Sequence, residues 1–282
     1  MKRLYVRRPE TLKRLLASEL GLSLGKAKEL IDTRNVLVNS QRVWIAHHCL
    51  RNGDVVEIAG PGRGASPPEL PLLYQDGYII AVNKPAGLVS DQAPNSAEHV
   101  LREKLRSPAL KAIHRLDKET SGVFLLARDL PTFERYKTIW RAREVEKIYH
   151  AICFNAARFR TRTVSLPVNG KPALSRVILL RGSGGYSYFA IATHTGRKHQ
   201  VRLHLQAIRH PVVGDKEYGL KFIADPRIKD IARQLLHCYR ISIPALGLRT
   251  APPGKNGLSL LSITAPLPAD FRQAGRRLGL LS

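Results

Sequence analysis

Apolar and polar positions fall along this chain in blocks, and the period of each block assigns an element. Leu12, Leu15, Leu16 and Leu20 recur at helical spacing, while Pro9 suits a helix start and Gly21 a stop. Ser23 is placed to cap a second helix with Leu24, Ala27, Leu30 and Ile31 on one face. Lys26, Lys28 and Arg34 fall on or beside the other face. Val36-Leu37-Val38, Asn39-Ser40 and Arg42-Val43-Trp44 read as a hairpin, and Asn52-Gly53-Asp54 turns into a strand at 55–58. Gly60, Pro61, Gly62, Gly64, Pro67, Pro68 and Pro71 then give the composition of a linker. Beyond it, short apolar runs predict strands at 79–82, 122–127 and 147–152. Antiparallel strands are expected at 163–166, 173–180 and 186–193, with Gly182 to Gly185 as a hairpin turn. Helices are expected at 99–105, from Pro131 onward, and after Gly196, where Val201, Leu205 and Ile208 share a face. Phe133, Tyr136, Ile139 and Trp140 read as the core stripe of the second of these.

Length and charge narrow the class. A chain of 282 residues with 44% hydrophobic content holds an ordinary domain plus a small one. The formal net charge of +24, from 46 Lys and Arg against 22 Asp and Glu, points to a polyanionic partner. Nucleic acid comes first and an acidic membrane surface second, but no apolar stretch is long enough to span a bilayer. The basic start lacks the apolar core of a secretory signal. Cys49, Cys153 and Cys238 show neither metal spacing nor an even-numbered framework, which suits a reducing cytosol. His194, His199, His204 and His210 come without a carboxylate or cysteine set at ligand spacing, so no metal is expected.

The chemistry concentrates in the stretch His114-Arg115-Leu116-Asp117-Lys118-Glu119-Thr120-Ser121-Gly122. It places one carboxylate, Asp117, among His114, Arg115 and Lys118 at the mouth of the apolar run that begins at Gly122. A carboxylate among cations stays ionised and is available as a nucleophile or charge stabiliser. On composition alone, a surface salt-bridge loop explains the same residues.

Three further stretches change that balance. Asn83-Lys84-Pro85-Ala86-Gly87 follows the strand at 79–82, Lys147-Ile148-Tyr149-His150-Ala151 opens the strand at 147–152, and Thr195-Gly196-Arg197-Lys198-His199-Gln200-Val201-Arg202 feeds the last of these helices. Together with the Asp117 loop, and in this order, they resemble the motifs of the RluA-type pseudouridine synthases. One departure is visible: the family often places a His shortly after its first motif, where this chain has Ser90-Asp91-Gln92. The first sixty residues are similar to the alpha-L RNA-binding module. The match lies in the residues from Leu24 to Ile31, in Val36-Leu37-Val38-Asn39 and in Asn52-Gly53-Asp54-Val55-Val56.

The resemblance implies an α+β fold: a mixed, largely antiparallel sheet with flanking helices and a central active-site cleft, plus a small N-terminal α/β RNA-binding domain. The division would be 1–59 for the RNA-binding domain, 60–71 for the linker and 72–282 for the catalytic domain. It implies isomerisation of uridine to pseudouridine in RNA, large-subunit ribosomal RNA before transfer RNA, with no cofactor and no obligate protein partner. Asp117 would be the catalytic carboxylate. Arg202 would hold it through a bidentate guanidinium, and Tyr149 would lie against the target base. Arg115, Arg197, Lys26, Lys28, Arg34 and Arg42 would contact RNA. Two rivals use the same residues: a non-catalytic RNA-binding or ribosome-assembly factor, and a hydrolase of N-glycosidic bonds.

Overall fold

The computed structural model describes residues 2–32, 36–43, 48–58, 69–220, 225–228, 231, 233–246 and 260–282. The chain divides into two compact units, Met1–Pro67 and Pro68–Ser282. Arg34, Trp44 and most of the Gly/Pro-rich linker lie outside the described residues, as do the side chains of Gln41 and Arg42.

The first unit runs β1 (Lys2–Tyr5), β2 (Glu10–Thr11), α1 (Leu12–Leu20), α2 (Leu24–Asp32), β3 (Val36–Val38), β4 (Gln41–Arg42), β5 (Cys49–Leu50) and β6 (Val55–Ile58). Gly21 ends α1 in the left-handed region, as the sequence suggests. The Ser23 hydroxyl accepts from the Lys26 amide at 3.2 Å at the start of α2. Leu12, Leu15, Leu16, Ala27 and Ile31 close a core against β3 and β6. Leu24, expected on the apolar face, stands out in solvent because it sits in the first turn, at the rim of that core.

The second unit is built on a ten-stranded sheet. Its strands are β7 (Leu72–Gln75), β8 (Ile79–Lys84), β9 (Lys111–Ala112), β10 (Ser121–Ala127), β11 (Glu146–Phe154), β12 (Thr161–Val164), β13 (Ser175–Ser183), β14 (Tyr186–Thr193), β15 (Leu236–Pro244) and β16 (Leu260–Thr264). The main path is β12-β13-β14-β11-β15-β10-β8-β7, with β16 on β15 and β9 on β10. Among the described strands, β10 and β15 alone pair in parallel. The helices are α3 (Ala97–Lys104), α4 (Leu130–Arg141), α5 (Gln200–Ala207) and α6 (Ala269–Arg277). The fold is α+β, and the expected strands and helices are present with ends shifted by a few residues. Gly184 and Gly185, both at positive φ, make the two-residue turn between β13 and β14.

Period-two patterning explains the layers. On β11, Ala151 and Cys153 face a core shared with α5, while Ile152 and Phe154 face another shared with α6. Lys147 and Tyr149 continue the first of these faces. Every residue of β10 is buried, so this strand is covered on both faces. Gly122 is required there: with φ 120°, a Cβ would fall 2.2 Å from the Cys238 carbonyl oxygen of β15. That close approach sets where the loop carrying Asp117 leaves the sheet.

Candidate active site

The loop ahead of β10 is pinned on both sides of Asp117. On one side, the buried Ser90 hydroxyl donates to the Leu116 carbonyl at 2.8 Å and accepts from the Leu116 amide at 3.0 Å. On the other, the Lys118 carbonyl accepts from the Gly87 amide at 2.7 Å and from Lys84 Nζ at 3.3 Å. Lys84 is fully buried at the end of β8, and it also donates to the carbonyls of Pro85 and Leu88. Burial pulls its ammonium down to about 7. The three carbonyl acceptors match the three donors of the protonated form.

Asp117 faces the N-terminal turn of α5. Its Oδ2 lies 3.3 Å from Arg202 NH1, and its Oδ1 lies 3.8 Å from His199 Nε2. The bidentate partner of Arg202 is not Asp117 but Asp215, whose Oδ2 and Oδ1 accept from Nε and NH2 at 2.7 and 2.8 Å. Geometry decides this. Asp215 occupies the Nε–NH2 edge of the fork, Glu217 takes a further NH2 contact at 3.2 Å, and NH1 remains for Asp117. Burial alone would raise the Asp215 carboxyl, but Arg202 and the amides of Tyr218 and Glu217 outweigh it and hold it below the usual range. Burial likewise works against the Arg202 charge, and Asp215 and Asp117 more than restore it.

Two of the cations next to Asp117 in sequence, His114 and Arg115, turn to other partners. His114 is buried, its Nε2 accepts from the Leu125 amide at 3.1 Å, and its ring stacks on Trp140. Burial, with Lys147 nearby, pushes it down to about 3, so it is neutral. Arg115 reaches outward to Asp91 at 3.0 Å. Successive side chains of an extended loop point apart, so a run of polar neighbours does not make a cluster. The cations that meet Asp117 come from α5 and its N-terminal turn, far along the chain.

A cleft of about 600 Å³ opens beside Asp117. Tyr149, Trp140, Lys147, Arg115, Arg197 and Arg202 all line it. Trp140, expected in the core, is half-buried and forms part of the wall, because the end of α4 overhangs the cleft. A β-bulge between β11 and β15 at Ile148/Tyr149 puts the extra residue, Tyr239, on β15, so β11 keeps its alternation and Tyr149 stays on the face of Lys147 and Ala151. Burial, helped by Cys238 and Asp117, raises the Tyr149 phenol far above its ordinary value, so it stays protonated. Lys147 donates to the Thr195 carbonyl at 2.8 Å, and burial lowers it to about 8. Arg197 Nε donates to the Pro172 carbonyl at 3.3 Å. A smaller hollow of about 250 Å³ lies on the other side of Asp117, lined by Lys118, Lys216, Glu217 and Arg233 among others. Of the other expected RNA contacts, Lys26 and Lys28 are exposed on α2. His204 sits between the Ser175 hydroxyl and the Leu166 carbonyl, and His210 against the carbonyls of Phe154 and Asn155. Among the described residues, no group of three His, Cys, Asp or Glu could hold a metal ion.

Asp215, His199 and Ser90 meet Asp117 or its supports without an expected role, although His199 lies inside the Thr195 to Arg202 stretch and Ser90 in the departure after Gly87. Asp215 stands in the run His210 to Gly219, outside the four stretches that carry the resemblance. An acid after Gly214, following a long stretch without one, was the available signal for it.

Residues 78–207 match the RNA pseudouridylate synthase family. A Neisseria meningitidis protein named ribosomal large subunit pseudouridine synthase D is 32% identical over 240 residues, covering 73% of this chain and 60% of that protein. A Yersinia pestis protein of the same name is 30% identical over 224 residues, covering 70% of this chain and 69% of that one. The chain therefore spans less than two thirds of the Neisseria relative. A solved structure titled human RNA pseudouridylate synthase domain containing 4 shares the fold. Its TM-score is 0.61, with 23% identity, 74% coverage of this chain and 92% of its own.

Proposed function

This chain belongs to the RNA pseudouridylate synthase family, and from that premise we propose that it isomerises uridine to pseudouridine within structured RNA. In this reaction the bond from the ribose to nitrogen one of uracil breaks, the base turns, and carbon five joins the ribose. The proton on carbon five is released and nitrogen one gains one, so atoms balance without a cofactor. Asp117 is the reacting carboxylate, acting on the sugar carbon, on the base ring or on a ribose proton. The observation that carries this reading is its setting: it opens on a cleft walled by an aromatic ring and cations, and it faces a guanidinium already fixed by Asp215. Arg202 orients Asp117 and sets a positive charge beside it. Tyr149, protonated at neutral pH, stacks on the flipped base and donates rather than accepts a proton. Arg115 and Arg197 take phosphates at the cleft, and Lys26, Lys28, Arg34 and Arg42 do so on the N-terminal unit.

Large-subunit ribosomal RNA is the first substrate to test, on the names of the Neisseria and Yersinia relatives, in a cytosolic setting. No helix among the described residues is long and apolar enough to cross a membrane. The test is tritium release from RNA containing uridine tritiated at carbon five. Large-subunit transcripts and bulk transfer RNA run in parallel, with wild type and Asp117→Ala. Release by the wild type alone, with RNA binding kept by Asp117→Ala, supports the proposal. Free uracil among the products would make the protein a glycosidic hydrolase. Binding without release by the wild type would make it a binding factor.

A further inference from the structure

The segment from Lys147 to Gly214 contains no Asp or Glu and carries eleven Lys and Arg. At the chain's own frequency of 22 acids in 282 residues, a stretch of this length would hold about five. The fold spreads it over β11 to β14 and α5. Arg197, Lys198 and Arg202 serve the cleft. A second group stands apart. Arg158, Arg160, Arg162 and Lys171 are all exposed, and no ion pair joins them to a carboxylate among the described residues.

This group follows the outer edge of the sheet, where β12 is the last strand. The Arg160 carbonyl accepts from the Leu179 amide at 2.8 Å, so the pairing with β13 begins there. Arg160 and Arg162, two apart, project to one side about 7 Å from each other. Arg162 lies over the Phe159 ring, 5.9 Å from its centroid. The edge connects to the cleft through the hairpin between β12 and β13. Val168 bridges to Lys171 at its tip, the Leu166 carbonyl lies 2.9 Å from His204 Nε2 of α5, and Pro172 accepts from Arg197. Edge protection favours exposed charge, Lys above all, on β12 itself, but Arg158, Arg160 and Lys171 lie outside that strand. Solubility is served better by Asp and Glu than by Lys and Arg. Neither accounts for a single sign held over the whole segment.

We propose that Arg158, Arg160 and Arg162, with Lys171 at the hairpin, form a ridge that grips the phosphate backbone of an RNA duplex flanking the target uridine. The proposal rests on the RNA-modifying function above and adds to the cleft a second contact that reads no bases. Guanidinium forks suit phosphate oxygens. The one ring on the ridge, Phe159, is half-buried under Arg162, so the ridge offers no stacking platform for single-stranded bases. It reads the shape and charge of a helix.

The test measures binding of the full chain to an RNA duplex of about 20 base pairs and to an oligouridylate of similar length, across a salt series. Arg158→Gln/Arg160→Gln/Arg162→Gln is compared with Arg272→Gln/Arg276→Gln/Arg277→Gln, an exposed set on α6 that removes the same charge. For the duplex, the ridge variant should lower the slope of log affinity against log salt by about two to three, and affinity by roughly tenfold or more. The α6 variant should change either little. An unchanged slope, or equal losses in the two variants, would overturn the ridge. An equal loss on oligouridylate would overturn the assignment to duplex. The readout is binding and not turnover. A wild type that never releases tritium counts against the isomerase reading and leaves the ridge to be judged on its own slope.

Discussion

At the scale of single residues, the Asp117 carboxylate is held by a pair, not by a partner. Arg202 spends its bidentate edge on Asp215, a side chain with no exposure, and presents NH1 to Asp117. Asp215→Asn should therefore lower the single-turnover rate by about 100-fold, because misplacement near an ångström costs that much. RNA affinity should stay within about twofold. Stability should fall by roughly 3 to 5 kcal/mol, since one buried charge loses its partner. A lowered melting temperature with an unchanged rate would make Asp215 structural only. A second residue-scale effect follows from histidines kept neutral by burial. His114 is pushed down to about 3 and His237 to about 4. Each folded value lies below the unfolded one, so the folded chain binds fewer protons between them. Their contribution is complete above pH about 6.5 and is lost as pH falls, at about 1.4 kcal/mol per unit for each group. Denaturant unfolding at pH 7 and pH 5 measures this, and equal stability at the two values would rule it out.

At the scale of elements, the segment after β8 acts as a bracket for the loop that carries Asp117. Ser90 gives the Leu116 backbone both a donor and an acceptor, as a neighbouring strand would. Ser90→Ala should leave two buried backbone groups unpaired, at about 1 to 3 kcal/mol each. The turnover rate should drop by about tenfold or more while RNA affinity holds, as expected when only the position of Asp117 changes. A drop in affinity with normal turnover would place Ser90 in RNA binding instead. The sequence disclosed this region unevenly, and for physical reasons. β8, β10, β11 and α5 were legible because burial writes a local period into their side chains. Asp117, Tyr149 and Arg202 were legible only through resemblance, since a lone carboxylate among cations also describes a surface loop. The bracket and the Asp215 pairing join residues far apart in the chain, and no local period reports such contacts. Trp140 misled for a related reason: a helical apolar stripe says which face is turned inward, not that its last residue meets a cleft.

At the scale of the whole molecule, two separately cored units share one net charge. Among the described residues, the first unit's core cluster runs from Leu4 to Ile58. The second unit builds its cores from Leu70 onward. A chain lacking residues 1–60 should therefore still melt cooperatively, since no apolar side chain of its cores is removed. The net charge of +24 is distributed over both units, and α2 exposes Lys26 and Lys28. If Lys26 and Lys28, with Arg34 and Arg42, meet phosphates, the truncation should flatten the salt dependence of binding to structured RNA by about three to four and weaken affinity by roughly tenfold or more. Turnover at saturating RNA should be unchanged, because every residue placed around Asp117 belongs to the second unit. Calorimetry and a salt series on the truncated chain separate the two claims. Loss of a cooperative transition would overturn the division into independent units. An unchanged affinity would leave the division standing and remove the N-terminal unit from RNA binding.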